Sequence, residues 1–158
     1  MAIKEKGSEG SDNLRANKPK VAVIMSVYKN DYLEWVVEAI NSIIRQSYDD
    51  LALFIYRDGP VSTELQRYLD EIVCSTGNCY LVESEENRGL AYGLNILIGN
   101  VLELPELKYV ARMDGDDISR LNRVEKQVCF LEEKKEIDVC GTWCREFGAS
   151  FAAKTKMP

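Results

Sequence analysis

The sequence contains no histidine. That absence removes the commonest general base and metal ligand, and with it any Ser-His or Cys-His nucleophile scheme within the chain. Acid–base work must fall to carboxylates, lysine, tyrosine or cysteine. The five cysteines (Cys74, Cys79, Cys129, Cys140, Cys144) are odd in number and form no Cys-x-x-Cys spacing. Three of them lie in apolar periodic segments and read as small buried hydrophobes rather than metal or redox groups. No apolar run approaches the roughly 18–20 residues of a membrane span. Residues 1–19 are polar, lack the apolar core of a signal peptide, and read as a disordered tail. Positive charge is also in deficit, with 20 Lys+Arg against 26 Asp+Glu and a net charge of −6. A nucleic-acid partner needs a basic surface, so none is expected. These absences point to a cytoplasmic location.

What remains is enough for one domain with a real core: 158 residues, 46% hydrophobic and 29% charged. The apolar run Val21–Val27 reads as a strand buried on both faces. Leu33, Val36, Val37, Ile40, Ile43 and Ile44 recur at helical spacing, giving a helix that ends near Ser47. Leu51–Tyr56 is a second strand, and Ser62 or Thr63 caps a helix with Leu65, Tyr68, Leu69, Ile72 and Val73 inward. Cys79–Glu83 is a third strand, followed by a helix marked by Leu90, Leu94, Leu97, Ile98 and Val101. Lys108–Met113 is a fourth strand, Asn122 opens a helix with Leu121, Val124, Val128 and Leu131 inward, and Ile137–Phe147 holds a fifth strand. Strands alternating with helices predict an α/β domain over residues 20–147, with a mostly parallel sheet and helices on both faces. Residues 148–158 read as a flexible tail.

The fourth strand ends in Asp114-Gly-Asp116-Asp117. In open α/β sheets the carboxyl edge of the strands is where ligands sit. Like charges so close call for a compensating cation or many hydrogen bonds. A divalent metal shared with a diphosphate answers the first need, and hard oxygen ligands suit Mg²⁺ or Mn²⁺. A solvated acidic turn that caps the next helix answers equally well from this segment alone. In a parallel sheet, however, the turns after the first, second and fourth strands share one edge. That edge then gathers Tyr28, Asp58 and Asp114–Asp117, each polar or aromatic where its strand is apolar.

Several stretches in order carry a resemblance: Val21-Ala-Val-Ile-Met-Ser-Val-Tyr28, Ala39-Ile-Asn-Ser-Ile43 with Gln46-Ser-Tyr48, and Arg57-Asp-Gly59. Glu86-Asn-Arg-Gly-Leu90 with Asn95, and Ala111-Arg-Met-Asp-Gly-Asp-Asp117, continue the series. Residues 20 to 147 resemble the family 2 glycosyltransferases, which have the Rossmann-like GT-A fold. Arg57-Asp-Gly-Pro60, Ala111-Arg-Met-Asp114 and Asn122-Arg-Val-Glu-Lys-Gln127 are similar to the amylovoran-type branch that builds bacterial exopolysaccharide or O-antigen. The resemblance implies that Asp114 and Asp116 are the Asp-x-Asp pair, the first facing ribose and the second holding Mn²⁺ or Mg²⁺ on a nucleoside diphosphate. It implies that Asp58 accepts from the nucleobase, that Tyr28 contacts base or ribose, and that Ser26 and Val27 offer backbone groups to the base edge. Arg88 would steady the diphosphate or pair with the acidic cluster, and Asp117 would assist or cap the next helix.

Two departures from the family pattern stand at Arg57, where many relatives have a second acid, and at Ser26, where many have proline. Relatives also continue beyond the length of this chain. Their second half carries the acceptor surface and the general base of inverting enzymes, so that base is expected beyond Pro158. Glu132, Glu133, Glu136 and Asp138 read as a solvated face. The expected partners are a nucleoside-diphosphate sugar, UDP ahead of GDP and dTDP, and a saccharide or lipid-linked acceptor, with peripheral contact at the inner membrane face. Apolar sheet surface left uncovered would favour self-association. The alternative is a binding fragment that holds nucleotide sugar without turnover.

Overall fold

The computed structural model describes residues 20–146 and the backbone of 155–156. Phe147 and, apart from that pair, the two expected tails lie outside the described residues. The elements run β1 (Lys20–Tyr28), α1 (Leu33–Ile44), β2 (Leu51–Asp58), α2 (Thr63–Ser75), β3 (Cys79–Glu83), α3 (Leu90–Leu102), β4 (Leu107–Asp114), α4 (Arg123–Glu133), β5 (Cys144–Arg145) and β6 (Thr155–Lys156).

Strands β1 to β4 form one parallel sheet in the order β3-β2-β1-β4. Its centre, β1 and β2, is made of near-continuous apolar runs because both faces are covered. Odd-numbered residues such as Val23, Met25, Leu53 and Ile55 pack with α1, α2 and α4. Even-numbered residues such as Ala22, Ile24, Phe54 and Tyr56 pack with Leu97 and Val101 of α3. α3 covers β4 only in part, so Val110 is 45% exposed and Lys108 and Arg112 are exposed too.

The expected fifth strand reduces to Cys144–Arg145, which pairs antiparallel with Thr155–Lys156 in a separate ribbon and does not extend the parallel sheet. The run from Ile137 is too sparse to hold a strand: Asp138 and Gly141 interrupt it, and Val139 is 84% exposed. Leu121, expected inward, is 62% exposed and contributes only its carbonyl, which accepts the Ser47 N–H at 2.8 Å. Among the cysteines only Cys79 is buried, and burial pushes its thiol up to about 12; Cys74, Cys129 and Cys144 are exposed. Ser62 caps α2 as expected, accepting the Leu65 N–H at 3.2 Å. No helix among the described residues is long and apolar enough to cross a membrane.

Candidate donor site at the carboxyl edge

The register fixes the site. Tyr28 lies opposite Asp58, and Ser26 opposite Asp114, at the carboxyl ends of adjacent parallel strands. Side chains two apart on a strand share a face. Ser26, Tyr28, Asp58, Arg112 and Asp114 therefore all belong to the face that α3 covers. Together with Asp31, Asn87, Gly89, Leu90, Gly115 and Asp116 they line a cleft of about 360 Å³. A larger groove of about 560 Å³ follows β4, α4 and the 138–142 segment and shares Arg112 with the cleft.

One wall of the cleft is fully tied. Asp58 is 3% exposed, and its Oδ1 and Oδ2 accept the N–H groups of Arg88 (2.7 Å) and Gly89 (2.8 Å). Asn87 Nδ2 donates back to the Asp58 carbonyl at 3.1 Å. Gly59 completes the contact: its φ is +82°, and a Cβ there would stand 2.7 Å from the Asn87 nitrogen. Only glycine meets both demands. Below this turn Arg57 is buried, with Nε 3.3 Å from Glu83 Oε1 and Nη1 donating to the Gly59 carbonyl at 2.9 Å. The arginine that departs from the family pattern thus supports the turn from the other face of the sheet and does not enter the cleft.

The opposite wall is the acidic turn. Arg112 forks onto Asp114, with Nη2 2.7 Å and Nε 3.1 Å from Oδ1 and Nη2 3.0 Å from Oδ2. Asp116 is exposed and its carboxylate has no ion pair or hydrogen bond among the described residues. Asp31 accepts the Tyr28 N–H at 2.9 Å, which fixes the β1–α1 turn. Burial raises the Asp31 carboxyl above the usual carboxylate range, the Tyr28 N–H opposes that, and the Asp116 charge adds to it. Asp117 is raised first by desolvation of its carboxyl and then by Asp114 and Asp116, with Arg123 and Arg112 opposing.

Asp117 does not cap a helix. It lies five residues before Asn122, the residue at the start of α4, and Asn122 itself makes no side-chain cap bond. The segment after the turn is held instead by the buried Gln46. Its Nε2 donates to the carbonyls of Ser42 (2.9 Å) and Arg120 (2.8 Å), and its Oε1 accepts the Val124 N–H at 3.0 Å. Ser42 Oγ accepts the Ser119 N–H at 2.9 Å.

The structure thus brings together Ser26, Tyr28, Asp58, Asp114 and Asp116. Val27 is wholly buried and can offer only its backbone. The Arg88 side chain is not in the cleft: it stacks over Tyr92 at 5.0 Å, donates to the Tyr92 hydroxyl at 3.0 Å and pairs with Glu86 at 3.4 Å. Arg88 therefore does not pair with the acidic turn in this structure, and the cationic side chain that lines the cleft is Arg112. Sequence reasoning assigned no role to Arg112, Asp31 or Gln46. Period-2 alternation on β4 was the available signal for Arg112, since it shares its face with Asp114.

The residues present suit a hard divalent cation held in part by its ligand. Among the described residues no group of three or more acidic, cysteine or histidine side chains forms a complete cage. Among the carboxylates that line the cleft, Asp116 is the one that accepts no hydrogen bond and forms no ion pair among the described residues. A cation bound through one or two carboxylates plus phosphate oxygens and water needs no more than that.

An open parallel sheet with polar residues lining a cleft at its carboxyl edge, an acidic turn after β4 and a helix starting beside it is the plan of the GT-A fold. The sequence profile of Glycosyl transferase family 2 matches residues 22–157, and the chain belongs to that family. It is 34% identical over 124 residues to the Bacillus subtilis (strain 168) protein named "Putative glycosyltransferase EpsE", covering 78% of this chain and 42% of that one. It is 30% identical over 133 residues to an Escherichia coli UDP-Gal:alpha-D-GlcNAc-diphosphoundecaprenol beta-1,3-galactosyltransferase, covering 82% and 45%. The chain thus spans less than half the length of these relatives. Residues 1–349 of S. aureus TarS, solved in complex with UDP-GlcNAc, superpose with a TM-score of 0.61 at 18% identity, over 73% of this chain and 32% of that one. This likeness is one of fold.

Proposed function

We propose that this chain forms the donor half of a metal-dependent, inverting glycosyltransferase that extends a bacterial cell-surface polysaccharide. The observation that supports this reading best is the convergence of Ser26, Tyr28, Asp58, Asp114 and Asp116 on one cleft from three strands. Asp58 keeps a lone pair on each oxygen after accepting two main-chain N–H groups, enough to accept one N–H from a base. Tyr28, 39% exposed, offers a flat face for base or ribose. Asp114 faces the ribose. Asp116, with Asp114, anchors Mn²⁺ or Mg²⁺, which supplies Lewis-acid stabilisation of the departing diphosphate.

In the transfer the acceptor hydroxyl oxygen bonds to the anomeric carbon, and the bond from that carbon to the diphosphate oxygen breaks. The hydroxyl proton passes to a carboxylate base supplied from outside residues 20–146. The acceptor is a saccharide or lipid-linked saccharide; the name of the E. coli relative, with its diphosphoundecaprenol acceptor, supports the second. The same name makes a UDP-sugar the first donor to try. A lipid-linked acceptor would put the protein in the cytoplasm, peripheral at the inner face of the membrane.

Titration of UDP and GDP into this chain by calorimetry, with Mn²⁺ and then with EDTA, tests the reading. Metal-dependent binding of one nucleotide, lost in Asp116→Ala, is the expected result. No binding of either to the folded chain would overturn it. A second reading, for residues 20–146 taken by themselves, is a nucleotide-sugar-binding unit without turnover. Donor binding without transfer or hydrolysis would favour it.

A further inference from the structure

Arg112 has two neighbours worth weighing, one it holds and one it could hold. Its guanidinium forks onto Asp114 from two residues earlier on β4. Both side chains are substantially exposed, at 54% and 41%. An ion pair in contact with solvent is worth little, so this one is cheap to open. Arg112 is also the single cationic side chain lining the cleft, against the carboxylates of Asp31, Asp58, Asp114 and Asp116. A cleft with that balance repels a diphosphate. It accepts one only if a divalent cation enters and the positive charge already present is released from its carboxylate.

We infer that Arg112 is an exchangeable counter-ion, held on Asp114 in the free protein and passed to a phosphate oxygen of the donor when a divalent cation takes over Asp114. The inference rests on the donor-site reading and adds a residue and a coupling to it. The planar guanidinium suits both partners, because it can donate two parallel N–H bonds to a carboxylate or to a phosphate. A consequence follows for the order of affinities. Metal alone must displace Arg112 from Asp114 and leave the guanidinium without a partner, so it binds weakly. With a nucleoside diphosphate present, the displaced guanidinium gains a new partner, so each ligand tightens the other. By linkage the two factors are equal.

The test separates the two equilibria. Mn²⁺ alone is titrated into the wild-type chain, Arg112→Gln and Arg112→Lys and followed by electron paramagnetic resonance; UDP is then titrated at saturating Mn²⁺ by calorimetry, with GDP in its place if GDP is the nucleotide the wild type binds. Arg112→Gln is expected to bind Mn²⁺ alone more tightly, because a competitor and a like charge are gone. It is expected to bind the nucleotide about tenfold or more weakly, the worth of one charge-assisted hydrogen bond. Arg112→Lys, which keeps the charge and loses the fork, falls between. Opposite shifts in the two titrations establish the exchange. Equal weakening of both would mean that Arg112 merely props Asp114, and no change in either would remove it from the site; both results overturn the inference and leave the donor site standing. Failure of the wild-type chain to bind either nucleotide overturns the donor site and the exchange together. Melting temperatures of the variants guard against unfolding, and should Arg112→Gln fail to fold, Arg112→Lys carries the same sign test.

Discussion

Asp58 and Asp116 line the same cleft under opposite physical regimes. Asp58 is 3% exposed with both oxygens on main-chain N–H groups, whereas Asp116 is exposed with no partner for its carboxylate among the described residues. The β2 wall is therefore finished before any ligand arrives, and the β4 wall is left with unbalanced charge. The difference follows from cover. β2 is sandwiched between helices on both faces, so a carboxylate there must be satisfied internally or pay full desolvation. β4 is an edge strand that α3 covers only in part, so water can satisfy its acids at little cost. A site that must accept a base and a metal diphosphate gains from both: fixed geometry where shape is read, and unspent charge where charge is bound.

The largest break in this comparison is expected on the finished wall. Asp58→Ala removes two charge-assisted bonds and leaves the Arg88 and Gly89 amides unpaired. We expect a loss of about 3 kcal/mol in urea unfolding, in addition to lost nucleotide binding. An unchanged unfolding midpoint would show that the clamp is not structural. Gln46→Ala comes next. It frees the Ser42 and Arg120 carbonyls and the Val124 N–H in a buried network, with an expected cost of about 2 kcal/mol. Because it also loosens the segment after the acidic turn, nucleotide affinity should fall with stability. Affinity kept at wild-type level would mean that α1 does not position the turn.

The base of β4 is firm where its tip is open, and acid should expose this. Glu132, expected on a solvated face, accepts from Lys108 Nζ and Tyr109 Oη, each at 2.5 Å, and also pairs with Lys135. Hydrogen bonds from Lys108 above all, then from Lys135 and Tyr109, hold its carboxyl down at about 2. A carboxyl depressed in the folded state from its ordinary 4.5 contributes stability that is present above pH 4.5 and lost as pH falls toward 2. Glu132→Gln should flatten stability across that window in acid titrations of the unfolding midpoint. An identical acid profile in the variant would contradict the latch.

Much of this arrangement was legible in the sequence, and what was not has a common cause. Continuous apolar runs revealed β1 and β2, and period-3.6 patterns revealed the helices, because burial on fixed faces leaves a periodic trace. The convergence of Tyr28, Asp58 and Asp114 followed from parallel pairing alone. Gln46 and Asp31 left no such trace, since each acts through a bond whose partner is set by tertiary structure or by a turn, and Arg112 left only its shared face with Asp114. Arg88 is a related case: its main-chain N–H holds Asp58 while its side chain turns to Tyr92. The segment from Ile137 misled because apolar residues without a covering layer do not make a strand.

The smallest expected effect on stability is also the sharpest test of the contrast between the walls. Asp116→Asn removes a charge that binds nothing in the free protein and repels Asp31 and Asp117, both of which its field raises. Surface substitutions of this kind stay within about 0.5 kcal/mol, and relief of repulsion gives this one a stabilising sign. The same change should abolish metal-dependent nucleotide binding, because the amide oxygen is neutral and a poor ligand for a hard cation. Stability kept and binding lost would establish Asp116 as a residue maintained for its ligand alone. A variant that unfolds more easily while still binding metal would reverse the roles assigned to the two walls.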